Sequence, residues 1–239
     1  MNMLAENPHQ VQSGRLAKDI HKPATHNIEL MAFIASELPH WRDHPDRPDK
    51  ENETGLTEFL CDYLDDSASS STAWSHVKFR TEIGDEAHSG RKIDLAVKPR
   101  SCALIIENRR HSQFQALFPI ECKRLPTPKG KDRDEREYVF TKEGTTGGVQ
   151  RFKFGHHGST HNFAAMIGYM QEQDFAHWLT EINGWIRNLV NETNSAWSDS
   201  DLLQQLNEDS TSDVCALRSC HTRASLPECE LRHLWVKMN

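Results

Sequence analysis

The sequence predicts an α/β fold in which helices flank a central mixed β-sheet. Three segments have the length and residue pattern of strands, at residues 77–82, 92–98 and 118–125. Around them, apolar residues recur every three or four positions, which is the period of a helix. Strands and helices interleaved in this way are typical of an α/β architecture.

Two helices are predicted ahead of the first strand. The first begins near His26 and ends in the charged, proline-containing stretch 41–50, and the second is followed by the polar connection 67–72. Each helix has one apolar face. These faces consist of Ile28, Met31, Phe33, Ile34 and Leu38 in the first helix and of Leu56, Phe59, Leu60, Tyr63 and Leu64 in the second.

The rest of the chain predicts further elements of both kinds. The apolar stripe of the longest one is more typical of core packing than of a cofactor site. The predicted elements are a strand at 103–107 that adds to the sheet, a flexible glycine-rich segment at 143–148, a helix at 163–171, a long helix at 175–190, and terminal strands at 213–218 and 230–237.

Composition predicts one domain, residues 25–239, preceded by a flexible arm at residues 1–24. A chain of 239 residues can build one full core, and its 36% hydrophobic and 26% charged residues are typical of a soluble globular protein. No apolar run is long enough to span a bilayer, and residues 1–10 lack a secretory apolar stretch. We therefore expect a cytoplasmic protein whose six cysteines are reduced thiols.

Two acids and a lysine lie on consecutive strand-like segments. Because side chains alternate along a strand, Glu121 and Lys123 share the face opposite Phe118 and Ile120, and Asp94 points away from its aliphatic neighbours. A sheet that buries the aliphatic faces therefore gathers Asp94, Glu121 and Lys123. Hard oxygen ligands of this kind suit Mg²⁺ or Mn²⁺, and an ammonium beside them can orient an attacking water. The alternative is an amphipathic strand with a solvated Glu–Lys pair.

A third acid is predicted on the second helix. Glu53 lies three residues before Leu56, at the first turn of the buried-facing stripe, and we expect it near the other acids. The alternative is an acid that only stabilises the helix dipole. Glu58 falls on the opposite side and is a solvated surface charge.

This order of elements and charges resembles the core of the PD-(D/E)xK nuclease superfamily, which has the restriction-endonuclease-like fold. The resemblance covers residues 52–125, although Ile93 stands where the superfamily has a proline. It implies a phosphodiesterase that depends on Mg²⁺ or Mn²⁺. The implied roles are metal ligation by Asp94, Glu121 and the carbonyl of Cys122, support of the metal by Glu53, and service to the attacking water by Lys123.

Substrate-binding candidates follow the lysine strand. The resemblance implies polar contacts from the next helical region, and we expect them from Gln150, Arg151 and His156, with Tyr169 and Gln171 behind them. The alternative for the histidines of this region is an ordinary loop. Zinc sites among these histidines, or at Cys215, Cys220, His221 and Cys229, are disfavoured because the spacing matches no strong zinc motif.

The net charge of −7 excludes a protein that coats nucleic acid by bulk electrostatics, but it does not exclude a nuclease. The resemblance implies a DNA endonuclease of restriction or antiviral defence, with RNA as the alternative substrate. A partner such as an ATPase or helicase would then supply targeting, and a homodimer would pair two sites. The alternative class is a catalytically silent subunit of the same fold that acts as a binding module.

Overall fold

The computed structural model describes residues 25–49, 52–85, 90–106, 109–131, 133–142, 144–209 and 211–238. The arm predicted at residues 1–24 lies outside these residues, so the domain boundary stays a prediction. Among the described residues, no helix has both the length and the apolar character that crossing a bilayer requires.

A mixed sheet of seven strands forms the centre of the fold. The strands of the molecule are β1 (Val77–Gly84), β2 (Lys92–Pro99), β3 (Leu104–Ile106), β4 (Arg109–His111), β5 (Phe118–Leu125), β6 (Phe163–Met170), β7 (Gln204–Asp209), β8 (Val214–Arg223) and β9 (Leu226–Lys237). The helices are α1 (Thr25–Arg42), α2 (Glu53–Ser70), α3 (Gly148–Lys153) and α4 (Phe175–Val190), with a 3₁₀ helix at Asp199–Asp201.

The strand order across the sheet is β1-β2-β5-β6-β9-β8-β7. Strands β5, β6 and β9 run parallel to one another, and every other neighbouring pair is antiparallel. The predicted α/β class with a mixed sheet and flanking helices is confirmed.

Strand β5 separates two cores, one on each face of the sheet. Helices α1 and α2 pack over the first core, which includes Phe118, Ile120 and Cys122 of β5. Helices α3 and α4 pack over the second, which includes Leu125. The predicted alternation along β5 is therefore confirmed, and it points residues 121 and 123 toward the second face.

The start of α2 is fixed by a local cap. The side chain of Asn52 accepts a hydrogen bond from the Gly55 amide at 2.8 Å, which satisfies one of the free N–H groups of the first turn. Leu56, Leu60 and Leu64 then bury one face of the helix in the first core. This cap places Glu53 at the first helical position, directly above the end of the sheet.

The helix predicted at residues 163–171 is wrong, since Phe163–Met170 forms the central strand β6. All eight of its residues are buried, because β6 lies between β5 and β9 and both its faces are covered. A strand buried on both faces has no polar alternation, so its pattern resembles that of a buried helix.

Two other expectations are corrected. The segment 103–107 does not join the central sheet, because β3 pairs with β4 in a separate two-stranded sheet; Glu107 lies outside the described residues. Within the segment 143–148, expected to be flexible, Gly147 and Gly148 are buried at the start of α3. A Cβ on Gly147 would lie 2.4 Å from the Cα of Phe140, so glycine is needed for this close approach.

Candidate active site

Lys123 is the centre of the predicted cluster. Its Nζ atom lies 3.0 Å from Glu121, 3.1 Å from Glu53 and 3.8 Å from Asp94, and its side chain is only 6% exposed. Although burial disfavours the ammonium, the three carboxylates, with Glu121 foremost, raise the pKa of Lys123 above its ordinary value. Lys123 is therefore a permanent cation and not a proton acceptor at neutral pH.

Asp94 lies where β2 and β5 part. The last paired residues are Leu95 and Ile120, and beyond them the Asp94 carboxylate accepts the Cys122 amide at 2.9 Å. Since the N–H and C=O of a strand residue face the same neighbour, the Cys122 carbonyl also faces Asp94. Burial, and next the charge of Glu121, raise the pKa of Asp94 to about 7.

Glu121 is fully buried and surrounded by positive groups. Besides Lys123, its Oε1 accepts a hydrogen bond from Arg151, and its Oε2 lies 3.2 Å from Nδ1 of His157. Burial opposes its ionisation, but Lys123 foremost, with His157 and Arg151, lowers the pKa of Glu121 to about 2. Glu121 is thus ionised throughout the ordinary pH range.

The second oxygen of Glu121 is not well satisfied by the described residues. Oε2 is buried, and its polar neighbour is Nδ1 of His157 at 3.2 Å, which helps to lower the pKa of Glu121 without forming a hydrogen bond of good geometry. Buried carboxylate oxygens in folded proteins are normally satisfied. A poorly satisfied buried carboxylate oxygen therefore fits a cation that binds oxygen.

The donor set suits a hard divalent cation. Asp94, Glu121 and the Cys122 carbonyl offer oxygen atoms, as Mg²⁺ and Mn²⁺ prefer. No group of three or more His, Cys, Asp or Glu residues within the described ranges forms a ready-made metal cage. A cation held by these oxygens would need water or substrate oxygens to complete its coordination.

Glu53 joins α2 to β5. Its Oε1 accepts Lys123 at 3.1 Å, and its Oε2 accepts the backbone amide of Arg124 at 3.2 Å. Glu58 is exposed, as the sequence predicts, but it lines a cavity together with Glu53 and Asp94, so its expected position on the opposite side is wrong. The first turn of α2 therefore fixes the position of the lysine as well as adding a carboxylate.

A small cavity opens beside the cluster. Its volume is about 60 Å³, which holds an ion and one or two waters but no nucleotide. It is lined by Glu53, Thr54, Thr57, Glu58, Thr81, Glu82 and Asp94.

The structure treats the three substrate-binding candidates differently. Arg151 reaches the cluster, where it binds Glu121. Gln150 is buried beneath the start of α3, and its side-chain oxygen accepts the amides of Gly147 and Thr141 at 3.2 and 3.3 Å. His156 packs its ring 6.2 Å from that of Phe154. A substrate contact from any of the three stays a prediction.

The residues expected behind these candidates lie elsewhere. Tyr169 is buried in the first core, where its hydroxyl is 3.2 Å from that of Thr57. Gln171 accepts a hydrogen bond from the Arg124 side chain at 2.6 Å. Sequence reasoning did not identify His157 as a site residue and grouped it with the loop histidines. The sequence signal that could have identified it is its position next to His156.

The C-terminal histidine and cysteines are structural. His221 is fully buried between Asp201 and Ser219, and Arg223 donates to the carbonyls of Pro227 and His161 at 2.6 and 2.8 Å. All six cysteines are free. The disfavoured zinc interpretation gains no support from the described residues.

Comparisons of the chain with protein-family models, with curated proteins and with solved structures give no match. The class that the fold and site define is an α/β protein with a buried cluster of three acids around one lysine. The functional interpretation therefore depends on the geometry of this cluster.

Proposed function

We propose that this protein is a nuclease that uses Mg²⁺ or Mn²⁺ to hydrolyse phosphodiester bonds, with DNA as its substrate. The observation that carries the proposal is the convergence of Asp94, Glu121 and Glu53 on the buried ammonium of Lys123, beside a poorly satisfied carboxylate oxygen. Two carboxylates at the point where strands part, with a permanent cation between them, suit the attack of water on a phosphate.

Each residue has a separate part in this proposal. Asp94, Glu121 and the Cys122 carbonyl would hold the cation, which supplies a water of lowered pKa. Lys123, kept protonated by its carboxylates, orients that water and offsets the negative charge that develops on the phosphate. Glu53 positions the ammonium, because it accepts hydrogen bonds from both Lys123 and the β5 backbone.

The biological setting is proposed by analogy with the superfamily that the sequence resembles. Restriction or antiviral defence would suit an acidic chain of net charge −7 that finds its DNA through a partner such as an ATPase or helicase. RNA remains the alternative substrate, because the same arrangement of charges can hydrolyse either backbone.

The second candidate function is a silent binding module. The observation that favours it is the set of ion pairs in which Lys123 already contacts all three acids without a metal. A relic site of this kind would bind a partner or nucleic acid without cleaving it.

Cleavage by site variants separates the two candidates. Wild-type protein should cut plasmid DNA with Mg²⁺ or Mn²⁺ and show little turnover with Ca²⁺, whose looser shell positions water poorly. Asp94→Asn, Glu121→Gln and Lys123→Ala should each lower cleavage by orders of magnitude.

The matched control is Asp66→Asn, which removes an exposed acid of α2 that does not line the cavity and should cleave normally. Circular dichroism establishes that each variant is folded. Wild-type cleavage by folded Asp94→Asn would refute the site, and no cleavage of DNA or RNA by the wild type, with or without its partners, would favour the binding module.

A further inference from the structure

Arg151 and Lys123 share one oxygen of Glu121. Both cations contact Oε1, Lys123 at 3.0 Å and Arg151 through its Nη1 atom. Glu121 is fully buried, so this shared oxygen is shielded from solvent. One carboxylate oxygen of Glu121 therefore contacts two permanently charged cationic side chains.

The two cations are held with different strength. Lys123 has three carboxylate partners and 6% side-chain exposure. Arg151 has Glu121 as its one carboxylate partner among the described residues, and its side chain keeps 19% exposure. Arg151 also extends from α3, a helix of only six residues. It is therefore the cation that can leave Glu121 without dismantling the cluster.

The other oxygen of Glu121 points to a further cation. Oε2 is buried and makes no hydrogen bond of good geometry with the described residues, although Nδ1 of His157 lies 3.2 Å away. Oε1 of Glu121 already contacts Lys123 and Arg151. A metal ion that binds Glu121 would therefore add positive charge close to Arg151. Two like charges beside the same carboxylate repel strongly in a poorly solvated site.

We propose that Arg151 competes with the divalent cation for Glu121, and that it moves from Glu121 to a substrate phosphate when the cation is bound. This inference rests on the proposed function, since it names the residue that would contact the phosphate. Arginine suits both partners, because its planar guanidinium pairs with carboxylates and with phosphates in the same two-pronged geometry. Arg151 thus offsets part of the negative charge of the metal-free site, and metal binding frees a phosphate-binding group.

Arg151→Gln tests the competition through metal affinity. Protein stripped with a chelator is titrated with Mn²⁺ by calorimetry, and the variant should bind roughly tenfold more tightly, since one close positive charge has been removed. In Ca²⁺, the same variant should bind a short DNA duplex more weakly than wild type does. A merely structural role predicts weaker binding in both assays.

Two further variants serve as controls. Arg232→Gln on β9 makes the same change of charge at similar burial, since Arg232 is 17% exposed and pairs with Glu230. It lies two strands from β5, so Mn²⁺ affinity should not change. Arg151→Lys keeps the competing charge and should return Mn²⁺ affinity toward the wild-type value.

The outcomes distinguish this inference from the proposed function. Unchanged or weaker Mn²⁺ binding by Arg151→Gln, beside measurable binding by wild type, overturns the competition and leaves the metal site standing. Mn²⁺ binding by neither protein overturns both. If Arg151→Gln does not fold, Arg151→Met, which keeps most of the aliphatic stem, is titrated in its place and the same outcomes apply.

Discussion

Asp94 is a carboxylic acid whose ionised form the site opposes. Burial and the nearby charge of Glu121 raise its pKa to about 7, from an ordinary value of 3.8. Between these values the folded protein holds a proton that the unfolded chain has released. The stabilising contribution of that proton is present at low pH and is lost as the pH rises through about 7.

Asp94→Asn should therefore stabilise the metal-free protein at alkaline pH. We expect the free energy of unfolding to rise by about 1–3 kcal/mol at pH 8. This is less than the full pKa shift would give, because 28% of the side chain is exposed to solvent. The gain should shrink toward pH 5, where Asp94 of the wild type is protonated in the folded state. Urea unfolding in EDTA at several pH values measures it. An equal effect at all pH values would contradict the raised pKa of Asp94.

The sequence could place the site residues whose positions follow from the repeat of a strand or of a helix. Strand alternation places Glu121 and Lys123 on one face, and helical spacing puts Glu53 on the side of α2 that faces the sheet. Arg151 and His157 reach Glu121 from a later helix and loop. No local period links such distant segments, so this half of the site depends on how β5, α3 and β6 pack together.

At the scale of elements, the secondary-structure prediction failed where burial on both faces removed the alternation of polar and apolar residues. Strand β6 is covered on both faces and was predicted to be a helix, whereas β5 and α2 each have a polar side and were predicted correctly. The pairing of the short strands β3 and β4 outside the central sheet was missed for a different reason. Three residues carry too little alternation to define a partner.

Helix α3 depends on the glycine before it. A Cβ at Gly147 would meet three backbone atoms of Phe140 at 2.4–2.8 Å, and backbone cannot yield as a flexible side chain can. Gly147→Ala should lower stability by about 1–3 kcal/mol through overpacking, and should also weaken any activity that depends on Arg151. Thermal unfolding and cleavage measure the two effects.

Gly184 provides the opposite control. It lies within α4, and no atom would come within 4 Å of an added Cβ. Gly184→Ala should therefore stabilise the protein by about 0.5–1 kcal/mol, because alanine favours helix more than glycine does. A similar loss of stability in both variants would show that the close approach at Gly147 is not the cause.

At the scale of the whole molecule, one buried chain of hydrogen bonds links α3 to the C-terminal strands. Most of its contacts are between 2.5 and 3.0 Å. Because all its members are deeply buried, the network ties distant parts of the sequence into a single cooperative unit. Its members are Lys153, Asp201, His221, Ser219, His233, Tyr138 and Trp235.

The histidines of this network predict loss of stability in acid. Burial lowers the pKa of His233 and of His221 below the ordinary value of 6.5, so below that pH the unfolded chain binds protons that the folded protein does not. The stabilising contribution of these neutral histidines is fully present above pH 6.5, and it is lost as the pH falls below that value. His233→Gln should cost about 1–3 kcal/mol at pH 8, yet lose less than wild type between pH 7 and 5.

Unfolding free energies at these pH values provide the measurement. His177→Gln on the exposed side of α4 is the control and should keep the wild-type dependence on pH. If His233→Gln and wild type lose stability in parallel on acidification, the buried imidazole is not the group responsible.

Strand β7 has a consequence for self-association. It closes one edge of the sheet, all six of its residues are exposed, and its register shifts between Gln205 and Asn207. A second copy that extended the sheet there by parallel, in-register pairing would bring Glu208 and Asp209 against their own counterparts. Charged, irregular edges of this kind resist strand-by-strand growth. Concentrated solutions of the protein should therefore be protected against β-aggregation along this edge, and a homodimer would be built on another surface.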